Sequence, residues 1–414
     1  MDKNEIIYDV VIVGAGVLGC ALALQLSQLG KQVALVDAFA AALQPSEPER
    51  VIALSEGSAR YLQTLGVWQS LAGHGTGHIE RIHVCEPPQS VASQAETRKA
   101  GTVDMQHTEI NADALGYVVE SRFVLQVLHA ALRDKVDTFC PARCLSMQRD
   151  ADGATTVQLD ADGAVSQLRC QLVVGADGTN SQVRRLAGIQ TRGWDHNRVA
   201  IVASLTAEKE HGGVAYECFR AEGPLALLPL ADGRFSLVWS VAPQRAMQLM
   251  KLDAAAFMQA LEADMGMDVM QQTGAWQAVG KRASFPLELR VAQSFAQAGI
   301  ALIGNAAHTI HPVAGQGMNL GLRDVAVLVD VLQQTWAQGA WHCSMVAETY
   351  AERRRLDTLA VLGFTEGVLA AFAASCLRLP WLRGQALRGL QATPSLKQVL
   401  LQQASGLAQL QGGK

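Results

Sequence analysis

The chain lacks the charge excess of a nucleic-acid binder. Its 34 Lys and Arg residues against 38 Asp and Glu leave a net charge of −4, and a pI near 6.2 gives no basic surface on which to gather phosphates. Metal-finger cysteines are missing too. The eight cysteines, at 20, 85, 140, 144, 170, 218, 343 and 376, form no CxxC pair and have no histidines at ligand spacing, which argues against a metal centre. Cys140 and Cys144 read instead as buried thiols of a reducing compartment. There is no long uninterrupted apolar run: Leu359 to Leu377 contains Gly363, Glu366 and Gly367, and predicts a packed or interfacial helix rather than a membrane span. Met1 to Asp9 is acidic and leads straight into a strand-like run, without a signal-peptide pattern. What is there is 49% hydrophobic and 17% charged, the balance of a soluble globular enzyme. A length of 414 residues is enough for about two domains.

Tyr8 to Val13 is a β-branched run, followed at once by Gly14-Ala-Gly16-Val-Leu-Gly19, by a helix-like stretch from Cys20 to Gly30, and by a second strand, Gln32 to Val36, that ends at Asp37. Strand, G-x-G-x-x-G, helix, strand and acid form the full context of a dinucleotide-binding turn. Gly14 permits the tight turn, Gly16 admits a pyrophosphate to the helix N-terminus, and Gly19 lets helix and strand pack closely. Asp37 suits an adenosine ribose, and an acid there disfavours a 2′-phosphate, leaving FAD or NAD.

After the turn at Pro45 to Pro48, Arg50-Val-Ile-Ala-Leu-Ser55 leads into a helix from Ser58 to Leu65; Arg50 reads either as a surface charge or as a phosphate or flavin contact. The polar segment 86 to 111 reads as an excursion toward another domain. Val118 to Leu132 begins extended and becomes a helix with Ser121 as its N-cap. Arg122, a cation in the first turn, calls for an anion to offset the helix dipole. Asp160-Ala-Asp162-Gly163 marks a hairpin, and Cys170 to Val174 forms a strand running into Gly175-Ala-Asp177-Gly178, where Asp177 is either a helix cap or part of a second ligand turn.

A third strand–turn–helix unit lies at Ile300 to Asp324. A buried strand, Ile300 to Ile303, ends at Gly304-Asn305; a turn carrying His308, His311, Pro312, Gly315 and Gly317 follows; and apolar residues at 318, 322, 325, 329 and 332 mark one helix face. The helix N-terminus offers unpaired N–H groups to an electron-rich ligand.

Taken together, Gly14 to Gly19, Gly175 to Gly178 with Arg184, and Gly304 to Asn319 resemble, in order and spacing, the single-component aromatic hydroxylases that bind FAD. Within them the chain is most similar to the ubiquinone-biosynthesis hydroxylases of the methoxyphenol branch, and the likeness covers nearly its whole length. The resemblance implies an α/β fold in which a Rossmann-like FAD-binding domain (1–75, 112–190 and 286–350) is interleaved with an antiparallel-sheet substrate domain (76–111 and 191–285), followed by C-terminal helices (351–414). It implies that Gly14, Gly16, Gly19 and Asp37 hold the ADP half of FAD and that Arg50 and Arg122 contact the cofactor further along. Asp177 would serve flavin and reduced-nicotinamide binding, and Gly304, Asn305, Pro312, Gly315, Gly317, Met318 and Asn319 would cradle the ribityl chain and the flavin ring. His308 and His311 lie beside that ring, as candidates for proton transfer or as structural residues. Most relatives carry an aspartate where this chain has Asn305, an amide that still accepts from a ribityl hydroxyl.

The implied reaction uses NAD(P)H or another electron donor, O₂ and a flavin C4a-hydroperoxide to hydroxylate a prenylated phenol in a cytoplasmic enzyme at the inner face of the membrane, alongside other ubiquinone-biosynthesis proteins. A small soluble aromatic substrate, or a flavin-bearing scaffold without turnover, stands as the alternative. In residues 195–285, Val214 to Phe219, Leu225 to Leu230 and Arg234 to Val241 read as strands of the substrate wall, with Phe219, Phe235 and Trp239 as pocket candidates, each of which reads more simply as ordinary core. In the helical tail, Arg378, Arg383, Arg388 and Lys397 among leucines read first as a solvated helix face, and, for an enzyme acting on a lipid, as a peripheral membrane or partner contact.

Overall fold

The computed structural model describes residues 7–39, 50–86, 101–339, 343–373 and 380–406; the Pro45–Pro48 turn and Arg378 lie outside them. Two large sheets organise the chain. In the first, of eight strands, the order is Ala296–Gln297, Ile300–Leu302, Ala164–Gly175, Ile7–Val13, Val33–Val36 and Asp137–Phe139. From Ile300–Leu302 to Asp137–Phe139 every neighbouring pair is parallel. A parallel sheet covered on both faces reads as continuous rather than alternating apolar sequence, and Val10, Val11, Ile12, Val173 and Val174 are all fully buried. The helix Val17–Gln28 packs between the strands, the helix Ser121–Leu132 and the helix Gln316–Ala337. It is therefore apolar on nearly every side, with Cys20 to Leu24 buried without a break.

Two local expectations are corrected. The hairpin at Asp162-Gly163 forms, but its second arm does not stop: Ala164–Gly175 is one strand, antiparallel to Thr155–Ala161 at its start and parallel to Ile7–Val13 at its end. The helix Ser121–Leu132 is capped by Glu120, not Ser121, and without a side-chain bond.

The second sheet has nine strands, in the order His308–Thr309, Ala283–Ala292, Thr191–Ala207, Phe235–Val241, Leu225–Pro229, Val214–Cys218, Arg81–Cys85 and Thr102–Gln106, with Trp276–Val279 beside Thr191–Ala207. The excursion at 86–111 thus returns as an edge strand. Ala283–Ala292 runs unbroken past residue 286, so the sheet takes in residues expected on the other side of a domain boundary. Side chains alternate between its faces. Tyr216, Cys218, Leu225, Leu227, Phe235, Leu237 and Trp239 point to one face, where Ala246, Leu249, Phe257, Leu261 and Val269 cover them. The covering helices, Pro243–Lys251, Ala254–Met265 and Met267–Thr273, were not anticipated. Phe235 and Trp239 are therefore core rather than pocket. Phe219 lies on the opposite face with Val84, Val103 and Val313, and stacks on Phe372 at 4.4 Å between centroids.

The C-terminal helices Cys343–Ala373, Pro380–Gln391 and Pro394–Ala404 are built into the body. Leu387 and Leu390 pack against that same sheet face, and Gly57 N donates to Ser405 O at 2.9 Å. Lys397 does not point outward: it is buried, paired with Glu109 at 2.9 Å and bonded to Asp104 O. No helix among the described residues is long and apolar enough to cross a membrane.

Candidate active site

The three turns meet. Gly14 has φ +112°, and a Cβ there would overlap Ala176 O, so the first turn lies directly on the second. A Cβ on Gly19 would overlap Gly14 O, the close helix–strand approach expected of the third glycine. Gly16 differs. Its φ is −72° and nothing lies within 4 Å of where its Cβ would stand, so no part of the protein requires glycine there. Open space at a helix N-terminus is a cradle of the right chemistry for a pyrophosphate. Asp37 Oδ2 accepts from Ala15 N at 2.6 Å, which places the acid at the turn, and Ala15 with Leu35, Val136, Thr138 and Cys140 lines a cavity of about 610 Å³.

Asp177 does cap the following helix, since its Oδ2 accepts from Gln182 N at 2.6 Å and Val183 N at 3.1 Å. Its Oδ1, however, is buried without a hydrogen-bond partner among the described residues. A buried carboxylate oxygen left in this state costs stability until a donor reaches it, so the second turn also retains an unmet need.

Two side chains lock the third turn to the others. Leu18, inside the first glycine motif, fills the gap left by Gly304 (φ +58°) and Gly321, and a Cβ on either would overlap it. Arg184 donates to Ala306 O at 2.8 Å and to Thr179 O at 2.7 Å. The third motif also joins the two sheets, because Ile300–Leu302 pairs in the first and His308–Thr309 in the second.

Within this turn the two histidines part ways. His308 is buried, with Nε2 2.7 Å from Asp324 Oδ2. Asp324 also accepts from Gly304 N at 2.8 Å and from Arg354 Nε at 2.6 Å, and Arg354 reaches Asp357 at 2.5 Å. Burial raises the Asp324 carboxyl, but the charges of His308 and Arg354 and the hydrogen bonds it accepts more than reverse this and hold it below its usual range. His308 Nε2 thus anchors the turn, in line with the structural alternative, while its Nδ1 is buried without a hydrogen-bond partner among the described residues. His311 has no such carboxylate. Its Nδ1 accepts from Val313 N at 3.1 Å, and burial, then the neighbouring His196, lowers it to about 4.

The Asn319 side chain pins the turn to the protein. Its Oδ1 accepts from Ser55 N (2.8 Å) and Ser58 Oγ (2.7 Å), while Nδ2 donates to Ala53 O (3.0 Å) and Gly315 O (2.9 Å). Every site of the amide is used inside the protein. Asn305, by contrast, is exposed on the turn Gly304–Ala306. Pro312, Gly315, Gly317 and Met318 are half-buried around the start of the 22-residue helix, which Gly315 caps with no side-chain acceptor and whose first turn holds no acid. The positive end of its dipole is therefore not offset by an acid in its own first turn. The anion that offsets Arg122 is Glu120, at 2.5 Å. Arg50 is exposed, and its carbonyl accepts from Ser121 N, bringing it beside that helix start.

Leu18, Asp324 and Arg354 were not anticipated as site residues. Their partners lie far away in sequence, and an isolated Leu, Asp or Arg in a helix carries no local mark; a buried-stripe position occupied by Asp324 is the one available hint.

The model of the FAD binding domain family matches residues 7–364. The 3-demethoxyubiquinol 3-hydroxylase of Escherichia coli (strain K12) is 33% identical over 96% of this chain and 98% of its own length. The ubiquinone hydroxylase UbiL of Rhodospirillum rubrum is also 33% identical, over 97% of this chain and 90% of its own. Among solved structures, the p-nitrophenol 4-monooxygenase PnpA from Pseudomonas putida DLL-E4 superposes with a TM-score of 0.77, at 17% identity over 97% of this chain and 99% of that one. The fold thus has a full-length counterpart, and the chain belongs to the FAD binding domain family, among its FAD-dependent hydroxylases.

Proposed function

We propose that this enzyme hydroxylates the aromatic ring of a prenylated phenol in ubiquinone biosynthesis, with FAD as cofactor and NAD(P)H as the transient reductant. What supports the substrate class is the likeness to the ubiquinone hydroxylases. Beside the third turn, Val84, Val103 and Phe219 from the sheet and Val313 from the turn form a buried apolar wall, packed by Val368, Leu369, Phe372, Leu387 and Leu390. The neighbourhood of the turn is therefore apolar on this side, which suits a ring with a hydrocarbon tail.

Bound FAD supplies the electron transfer and oxygen activation that side chains cannot. The chain's own residues bind and orient. Gly16 leaves room for the pyrophosphate, Asp37 would meet the ribose, Asn305 would accept from the ribityl chain, and the positive end of the helix that begins after Gly315 would stabilise negative charge at the ring's pyrimidine edge. The apolar wall excludes water from the reacting ring. Leu356, Leu359 and Phe364, at 75%, 54% and 45% exposure on the helix Cys343–Ala373, support a peripheral contact with the membrane in which such a substrate dissolves.

Quinone-lipid profiles of a strain deleted for this gene test the reading. Accumulation of a prenylated phenol, reversed by the intact gene, is the expected result. An unchanged profile, with phenol-stimulated NAD(P)H oxidation by the purified yellow protein, would point to a small soluble substrate; no stimulated oxidation at all would leave a scaffold.

A further inference from the structure

Beside the third turn stands a group of ionisable side chains drawn from three separate elements. The long strand Thr191–Ala207 breaks register with Ala283–Ala292 between Asp195 and Arg198, and Asn197 in this bulge has φ +51°. Bulges of this kind re-aim side chains. Here His196 turns so that its ring meets the ring of His311 at 5.2 Å and 88°, while its Nε2 lies 3.5 Å from Glu366 Oε1 on the long C-terminal helix. Both of those atoms are buried, and neither makes a proper hydrogen bond. Three separate elements therefore deliver His196, His311 and Glu366 to one place, next to Pro312 and Val313.

We propose that His196 and Glu366 form a carboxylate–imidazole dyad that takes the phenolic proton of the substrate during hydroxylation. This deepens the functional reading above and rests on it. Glu366 fixes the His196 tautomer that carries hydrogen on Nε2, leaving the Nδ1 lone pair for the phenol, and no described residue bonds Nδ1. The phenol O–H bond breaks, its electron pair stays on oxygen to enrich the ring, and the proton passes to Nδ1; Glu366 balances the imidazolium charge until the proton leaves to solvent. The 3.5 Å separation is that of a dyad that tightens when the complex forms.

His311 is excluded as the base by its hydrogen bond. Val313 N–H occupies Nδ1, so neutral His311 carries its proton on Nε2 and acts as a donor. Burial lowers His196, with Asp195 opposing and Arg198 reinforcing the shift, and burial raises Glu366. His196 is therefore neutral and ready to accept near neutral pH.

The test uses the FAD-loaded full-length enzyme with 2-farnesylphenol in detergent micelles as probe. His196→Gln and Glu366→Gln are expected to keep the bound-flavin spectrum while hydroxylation falls at least about 100-fold for His196→Gln, with NAD(P)H oxidation diverted to hydrogen peroxide. The acidic limb of the wild-type pH–rate profile should vanish in His196→Gln, and Glu366→Asp should recover part of what Glu366→Gln loses. Imidazole ¹⁵N NMR should show His196 with hydrogen on Nε2 in the wild type and a lower pKa in Glu366→Gln. Wild-type coupling and pH profile in His196→Gln, or a His196 titration unaltered by Glu366→Gln, overturns the dyad and leaves the hydroxylase reading standing. A wild type that turns over no phenol, yet shows the Glu366-dependent tautomer, overturns the hydroxylase reading instead.

Discussion

His308 and His311 stand in the same turn, yet among the described residues only one of them holds a carboxylate. His308 Nε2 meets Asp324, which Arg354 also grips, while His308 Nδ1 is buried without a partner among the described residues; His311 faces a second histidine, His196, which in turn lies beside Glu366. The same division recurs through the site. Gly14 is demanded by its neighbours and Gly16 by nothing in the chain; Asn319 has all its hydrogen bonds and Asn305 is exposed. Residues whose needs are met internally hold the turns in place. Those whose needs are unmet point to what the turns hold.

Substitutions on the two sides of this division should separate stability from cofactor binding. The largest effect is expected from Arg354→Met, which leaves Asp324 buried without its guanidinium partner and should cost about 3–5 kcal/mol in denaturant unfolding. The Asp324 carboxyl is held below its ordinary value of 3.8, so its contribution is complete above that pH and is lost as pH falls through the depressed value. Removing Arg354 should therefore move the acid-unfolding midpoint to higher pH. Next comes Asn319→Ala, expected to cost about 2–3 kcal/mol because Ser55 N–H and the facing carbonyls are left without partners; an unfolding curve matching the wild type would mean that the amide is not the pin described.

Gly16→Val inverts the pattern. Apo-protein stability should change by less than about 0.5 kcal/mol, while FAD affinity, read by fluorescence titration, falls more than about tenfold. Equal losses of stability and affinity would break the distinction between Gly14 and Gly16. The smallest effect is expected from Asn305→Asp. Folding should be unchanged, because the side chain is exposed, and the added negative charge should lower the midpoint potential of the bound flavin, as measured by dye-coupled reduction.

Much of this was legible where the signal is local. The strands Ile7–Val13 and Ile300–Leu302, the glycine turns after them, and the buried positions 322, 325, 329 and 332 all follow from spacing alone. The second sheet shows where this ends. Phe219, Phe235 and Trp239 look equivalent in sequence, since alternation marks two faces without saying which one the later helices at 243–273 will cover. The pairs Asp324–Arg354 and His196–Glu366 are 30 and 170 positions apart, and nothing near either partner announces the other. Arg122 misled for the opposite reason: the dipole argument correctly required an anion, and the chain supplied its own at Glu120.

The third motif pairs with one sheet through Ile300–Leu302 and with the other through His308–Thr309. The residues between those two strands are one of three stretches of chain that cross from sheet to sheet, with 176–190 and 293–295. The second and third ligand turns thus both sit on the seam between the sheets, and a substitution that loosens either turn loosens that seam as well.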